Sequence, residues 1–114
     1  MTTSLQEGPV ILIGYEYRLQ LQAEADLFPD LAQFTGHLRR TVGESTLLTT
    51  ITSANGGVLL RDARTLEIVL PGEVTETLTP GTVVLDLVRT DIDPDRHLGV
   101  LLEIPVVLPV TRGL

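Results

Sequence analysis

The chain has 114 residues, 43 % of them hydrophobic, and a formal net charge of −7 from 8 arginines, no lysine and 15 carboxylates. That is enough apolar material for one core and too much for a disordered chain, while the acidity disfavours nucleic-acid phosphates and anionic membranes as partners. The lack of cysteine removes disulfides, thiolate metal sites and cysteine nucleophiles.

With two tyrosines, two phenylalanines and no tryptophan, the core falls to Leu, Val and Ile, which favours thin β-rich packing. No run of 18 apolar residues is present to span a membrane, and the opening residues lack the basic-then-apolar pattern of a signal peptide. Residues 1–8 are polar and without period, and are expected to form a flexible N-terminal arm ahead of a single domain over residues 9–114.

Residues 9–13 are a short apolar run after a proline, suited to a first or edge strand, and Gly14 breaks it. Residues 15–26 alternate without a fault: Tyr15, Tyr17, Leu19, Leu21, Ala23 and Ala25 on one face, charged and amide side chains on the other. That period predicts a strand with one wet face. The next strand, residues 34–42, sets Phe34, Gly36, Leu38, Arg40 and Val42 on one face. Either a bulge near Gly36 shifts the register, or Arg40 is buried and needs a carboxylate.

Residues 46–53 read as a strand rich in β-branched side chains, and Ala54-Asn55-Gly56-Gly57 as a turn, since Asn and Gly tolerate positive φ. A short strand returns over residues 58–61. In the strand after it, Leu66, Ile68 and Leu70 are expected inward, Glu67 and Val69 outward. Two Pro-Gly breaks, Pro71-Gly72 and Pro80-Gly81, bracket one helical turn near residues 73–78, with Val74 and Leu78 four apart for packing.

Val83, Leu85 and Leu87 form one face of the following strand, and Val84, Asp86 and Val88 the other. Asp86 is an acid within an apolar run, hence a buried-polar candidate. A loop over residues 91–95 leads to alternation from Leu98 to Val110. Pro105 and Pro109 lie on the opposite face and predict an edge or a bulge. Seven to eight short strands, turn signals about every ten residues and one helical turn predict an all-β antiparallel sandwich, with a small barrel as the second reading.

No catalytic, cofactor-binding or metal residue is expected. Asp91, Asp93 and Asp95 resemble the start of a calcium loop, but Arg96 and Leu102 stand where that loop needs Gly and Glu. His37 and His97 are the two histidines, and none of Ser4, Ser45 and Ser53 lies in a nucleophile-elbow pattern. Arg40 and Asp86 are the candidates for a structural polar pair, either an ion pair or an Asp86 bonded to backbone amides, that fixes strand register; a catalytic or ligand-binding pair is the second reading.

The segments 48-LTTITSANGGVLL-60, 65-TLEIVLPGEVTETLTPGTVVLDLVRTD-91 and 97-HLGVLLEIPVVLPVTRG-113 carry a resemblance. A strand leads into a helical turn and Leu78-Thr79-Pro80-Gly81; an aliphatic strand around Asp86 follows, and the chain closes on Val110-Thr111-Arg112. This layout resembles small bacteriophage and prophage virion proteins with an immunoglobulin-like sandwich, similar to the N-terminal domain of phage baseplate upper proteins. The resemblance implies a non-enzymatic tail or baseplate protein of the virion, assembled in the bacterial host cytoplasm. Its partners would be other virion proteins or copies of itself, as in a homo-oligomer, with no nucleic acid and no membrane. Leu101, Pro105 and Val107 are the interface candidates. The alternative is a small ligand-, carbohydrate- or calcium-binding sandwich using Asp91, Asp93 and Asp95.

Overall fold

In the computed structural model, which describes residues 5–114, the strands in chain order are β1 (Leu5–Glu7), β2 (Ile11–Leu12), β3 (Tyr17–Gln22), β4 (Phe34–Arg39), β5 (Thr49–Thr52), β6 (Val58–Asp62), β7 (Thr65–Leu70), β8 (Gly81–Arg89) and β9 (Arg96–Val107). One short helix, α1 (Gly72–Thr75), lies between β7 and β8. The larger sheet has the order β1-β9-β8-β4-β5, with β2 also on β9, and the smaller has the order β3-β7-β6. The fold is all-β with two sheets.

The core lies between the sheets. Ile11, Phe34, Leu38, Ile68, Leu70, Leu85 and Ile104, drawn from both, are shut off from solvent. β3 alternates as its sequence predicts, Tyr17, Leu19 and Leu21 inward and Arg18, Gln20 and Gln22 outward. It begins two residues later than expected, because Leu12 to Tyr15 close a turn in which the Tyr15 N–H donates to the Leu12 carbonyl (3.1 Å). Tyr15 is therefore on the surface.

Several expectations are corrected. Leu5–Glu7, within the supposed arm, form β1, and residues 1–4 of that arm lie outside the described residues. β1 and β2 run parallel to β9, whereas every other pairing is antiparallel. A strand this short shows no period, and backbone pairing needs none. β9 is not an edge: it lies between β8 and the β1–β2 pair. Pro105 is accommodated at the step between Glu103, paired with Glu7, and Val106, paired with Ile11, where neither β1 nor β2 needs a donor.

Glu67 and Val69 are buried, not outward-exposed, because β7 is the central strand of the smaller sheet and both its faces are covered. β4 runs without a bulge against β8, and Gly36 faces inward.

The helical turn forms near where it is expected, carried on to Leu78 by its N–H donating to the Thr75 carbonyl (3.0 Å). Leu78 is buried in the core and Val74 packs against it. Thr75 is the unforeseen member. Its buried hydroxyl accepts the Gly14 N–H (3.0 Å) and donates to the Tyr15 carbonyl (2.8 Å), fastening α1 to the turn before β3. A four-residue helix has too few internal bonds to persist alone, so such ties hold it.

Candidate functional site

The outer face of the larger sheet gathers most of the residues singled out from sequence. Along β9, Leu102, Ile104 and Val106 point into the core, so Leu101, Glu103, Pro105 and Val107 point out. The three interface candidates thus share one face. Val107 stands beside Leu12 of β2, and these two side chains are 45 % and 41 % exposed. Val10, two residues before Leu12, is equally open. The strip continues over exposed Leu108 into a depression of ≈ 540 Å³ lined by Ile13, Tyr15, Leu108 and Arg112. Within the strip, Glu7 and Glu103 are direct neighbours on β1 and β9, and neither forms an ion pair among the described residues. Like charges so placed repel.

The same face carries a polar row. β8 and β9 are in register at Asp86 opposite Leu101 and again at Val88 opposite His97, which leaves β9 two residues longer and bulged through Gly99 (φ +78°). The bulge lays His97 onto Asp86, Nε2 to Oδ2 at 2.9 Å, while the Gly99 N–H donates to Nδ1 (2.8 Å). With Nδ1 accepting, the imidazole proton resides on Nε2 and is donated to Asp86. Neither ring nitrogen keeps a lone pair for a metal or for proton abstraction, so the pair secures the bulge. His37 stands beside Asp86 on β4. Among the described residues no group of three His, Asp or Glu side chains is placed to hold a metal ion.

Arg40 and Asp86 do not meet. Arg40 follows Leu38 in parity, on the inner side, and Asp86 faces out beside His37. β4 ends at Arg39, and the Arg40 guanidinium turns over the start of β8, donating to the carbonyls of Thr82 (3.1 Å) and Thr79 (2.6 Å) and to the Thr79 hydroxyl. It satisfies backbone acceptors in place of a carboxylate. Asp91, first of the three loop aspartates, is held by Arg89 through two bonds (2.8 and 3.0 Å) and accepts the Gln33 N–H (3.1 Å). The Arg89 guanidinium holds its carboxyl well below the usual range.

No protein-family model matches the chain, and no curated protein does.

The acid with the most structural work is Glu67, on the outer face of the smaller sheet and away from the strip. Arg18 from β3 (3.0 Å) and Arg61 from β6 (3.1 Å) both donate to Oε1, and Gln20 approaches Oε2. Hydrogen bonding from Arg61 foremost lowers its pKa. Local alternation gives only the face of Glu67; its partners follow from the register that sets Gln20 opposite it.

Both Glu67 and Asp91 are shifted down on folding, so each stabilises the fold fully above the ordinary carboxylate pKa of about 4 and loses that contribution as pH falls through its folded value. The melting temperature is expected to drop on acidification below that point, and Glu67→Gln to shallow the drop. Thermal melts between neutral and strongly acidic buffer read both; a Glu67→Gln profile parallel to the parent's would contradict the assignment.

Proposed function

We propose that this chain is a structural or assembly protein of a phage or prophage particle, in the tail or baseplate. It acts through contacts with copies of itself and with neighbouring virion proteins and carries out no chemistry. The observation that carries this reading is the apolar strip along β2 and β9. Leu12, Pro105, Val107 and Leu108 form contiguous outward surface on a rigid two-sheet scaffold, the composition of a protein contact. Glu7 and Glu103, side by side within it, favour an opposing surface that brings an arginine.

The immunoglobulin-like form of the sandwich is part of the same proposal. Its support is the strand order. β3, β7 and β6 match the B, E and D strands of one immunoglobulin sheet; β4, β8 and β9 match C, F and G of the other, with β5 in the added C′ position. The departure is at the first two strands, β1 and β2, which both join the last strand in parallel and leave the B strand at an edge.

Gene order tests the virion reading. Genes for tail or baseplate components on either side of the coding gene are the expected result. A stable position within a metabolic operon, with no phage genes nearby, would overturn it.

A further inference from the structure

Among the described residues, β5 pairs with β4 on one side and has no strand on the other. Its register sets Thr49 opposite Leu38 and Ile51 opposite Gly36, and the Ser53 N–H donates to the Phe34 carbonyl across the ladder (3.0 Å). Hydrogen-bonding positions alternate along an antiparallel strand. Ser53, Ile51 and Thr49 therefore turn their backbone groups toward β4, and Thr50 and Thr52 turn theirs to the open edge. Such groups form a template for another chain.

Among the described residues the turn that follows covers three of these four groups, all but the Thr50 N–H. The Thr52 N–H donates to Asn55 Oδ1 (2.9 Å), Asn55 Nδ2 donates to the Thr50 carbonyl (3.1 Å), and the Gly57 N–H donates to the Thr52 carbonyl (3.1 Å). One carboxamide thus supplies the acceptor and the donor that an added strand would supply. Its position is fixed: Oδ1 also accepts the Gly57 N–H (2.9 Å), and the Asn55 N–H donates to Thr52 Oγ1 (2.9 Å). The turn lies so close that a Cβ on Gly57 would stand 2.5 Å from the Ile51 Cβ. Nothing else on the strand would repel a partner. β5 reads TTIT, with no charge and no proline.

We propose that Asn55 is a latch that closes the β5 edge, and that the occupant it excludes is β5 of a second copy, paired antiparallel about a two-fold axis. Two identical uncharged strands meet such an axis without conflict. The proposal is independent of the contact strip, which lies at the opposite edge of the sheet.

Asn55→Ala removes the carboxamide. Asn55→Gly also removes the carboxamide while leaving the turn its backbone freedom, and it serves should the first variant fail to fold. Each is made in a Val107→Asp background, so that association through the strip is already removed and the two readings fail separately. Light scattering is expected to show a mass rising with concentration toward twice 12.4 kDa, while the background alone stays at 12.4 kDa. Amide exchange at Thr52 is expected to be fast in dilute variant and slow in the associated form. A variant that folds, exposes the Thr52 amide and keeps the monomer mass at every concentration would overturn the latch, as would a Thr52 amide that stays protected in dilute monomer.

Discussion

Gly36→Ala is expected to melt about 10–15 °C below the parent, the consequence of roughly 2–3 kcal/mol of overpacking in a domain of this size. Gly36 lies where β4 crosses the core between β5 and β8. A Cβ there would stand 2.8 Å from the Asp86 carbonyl oxygen, 2.8 Å from Leu87 Cδ2 and 2.9 Å from Ile51 Cγ1. The leucine methyl can rotate away. The carbonyl belongs to the adjoining strand and can move only if the β4–β8 ladder opens. Replacing glycine by alanine ordinarily gains about 0.4–1 kcal/mol by restricting the unfolded chain, which is too little to offset the clash. Gly43 is the control. Nothing lies within 4 Å of its Cβ position and its φ is not positive, so Gly43→Ala is expected to melt at or slightly above the parent. Circular dichroism melts of the three proteins separate the steric account from a general intolerance of alanine.

The second large effect belongs to Phe34. It opens β4, is 1 % exposed, and meets Phe28 edge to face with ring centroids 5.4 Å apart. Truncation of a buried phenylalanine costs about 3–5 kcal/mol in lost burial and residual cavity. Against a typical domain stability of about 5–15 kcal/mol, Phe34→Ala leaves the protein marginal. Urea titration is expected to show a much lower midpoint with an unchanged slope. Leu31→Ala, at a leucine 84 % exposed, is expected to leave the midpoint where it was.

Alternation alone suffices for β3, for the inner faces of β4 and β8, and for the strip on β9, because the inner residues of those strands are covered more deeply than most of the outer ones, although Val84 on the outer side of β8 is buried as well. The Pro-Gly breaks locate the helical turn for a similarly local reason. β7 is not legible in this way, because its exposure depends on its neighbours. Glu67 is covered by arginines from β3 and β6, far from it in the chain, and no local period records that. β1 is equally hidden, since three residues paired through backbone carry no side-chain signature. The expected Arg40–Asp86 pair fails for a different reason. With Leu38 inward on one strand and Leu85 and Leu87 inward on the other, parity sets Asp86 outward and Arg40 inward. Side-chain alternation in the two strands is therefore sufficient by itself to exclude the pair. The His97–Asp86 contact is concealed by the bulge at Gly99, since a regular strand would carry His97 past Asp86.

The proposed contact of Leu12, Pro105 and Val107 with a second copy has a direct consequence in solution. Light scattering of the parent over increasing concentration is the decisive measurement. The mass is expected to rise above the monomer's 12.4 kDa, and Val107→Asp is expected to hold it at 12.4 kDa without lowering the melting temperature. A parent protein that stays at 12.4 kDa up to its solubility limit, or a Val107→Asp variant that associates as the parent does, would contradict self-association through this face.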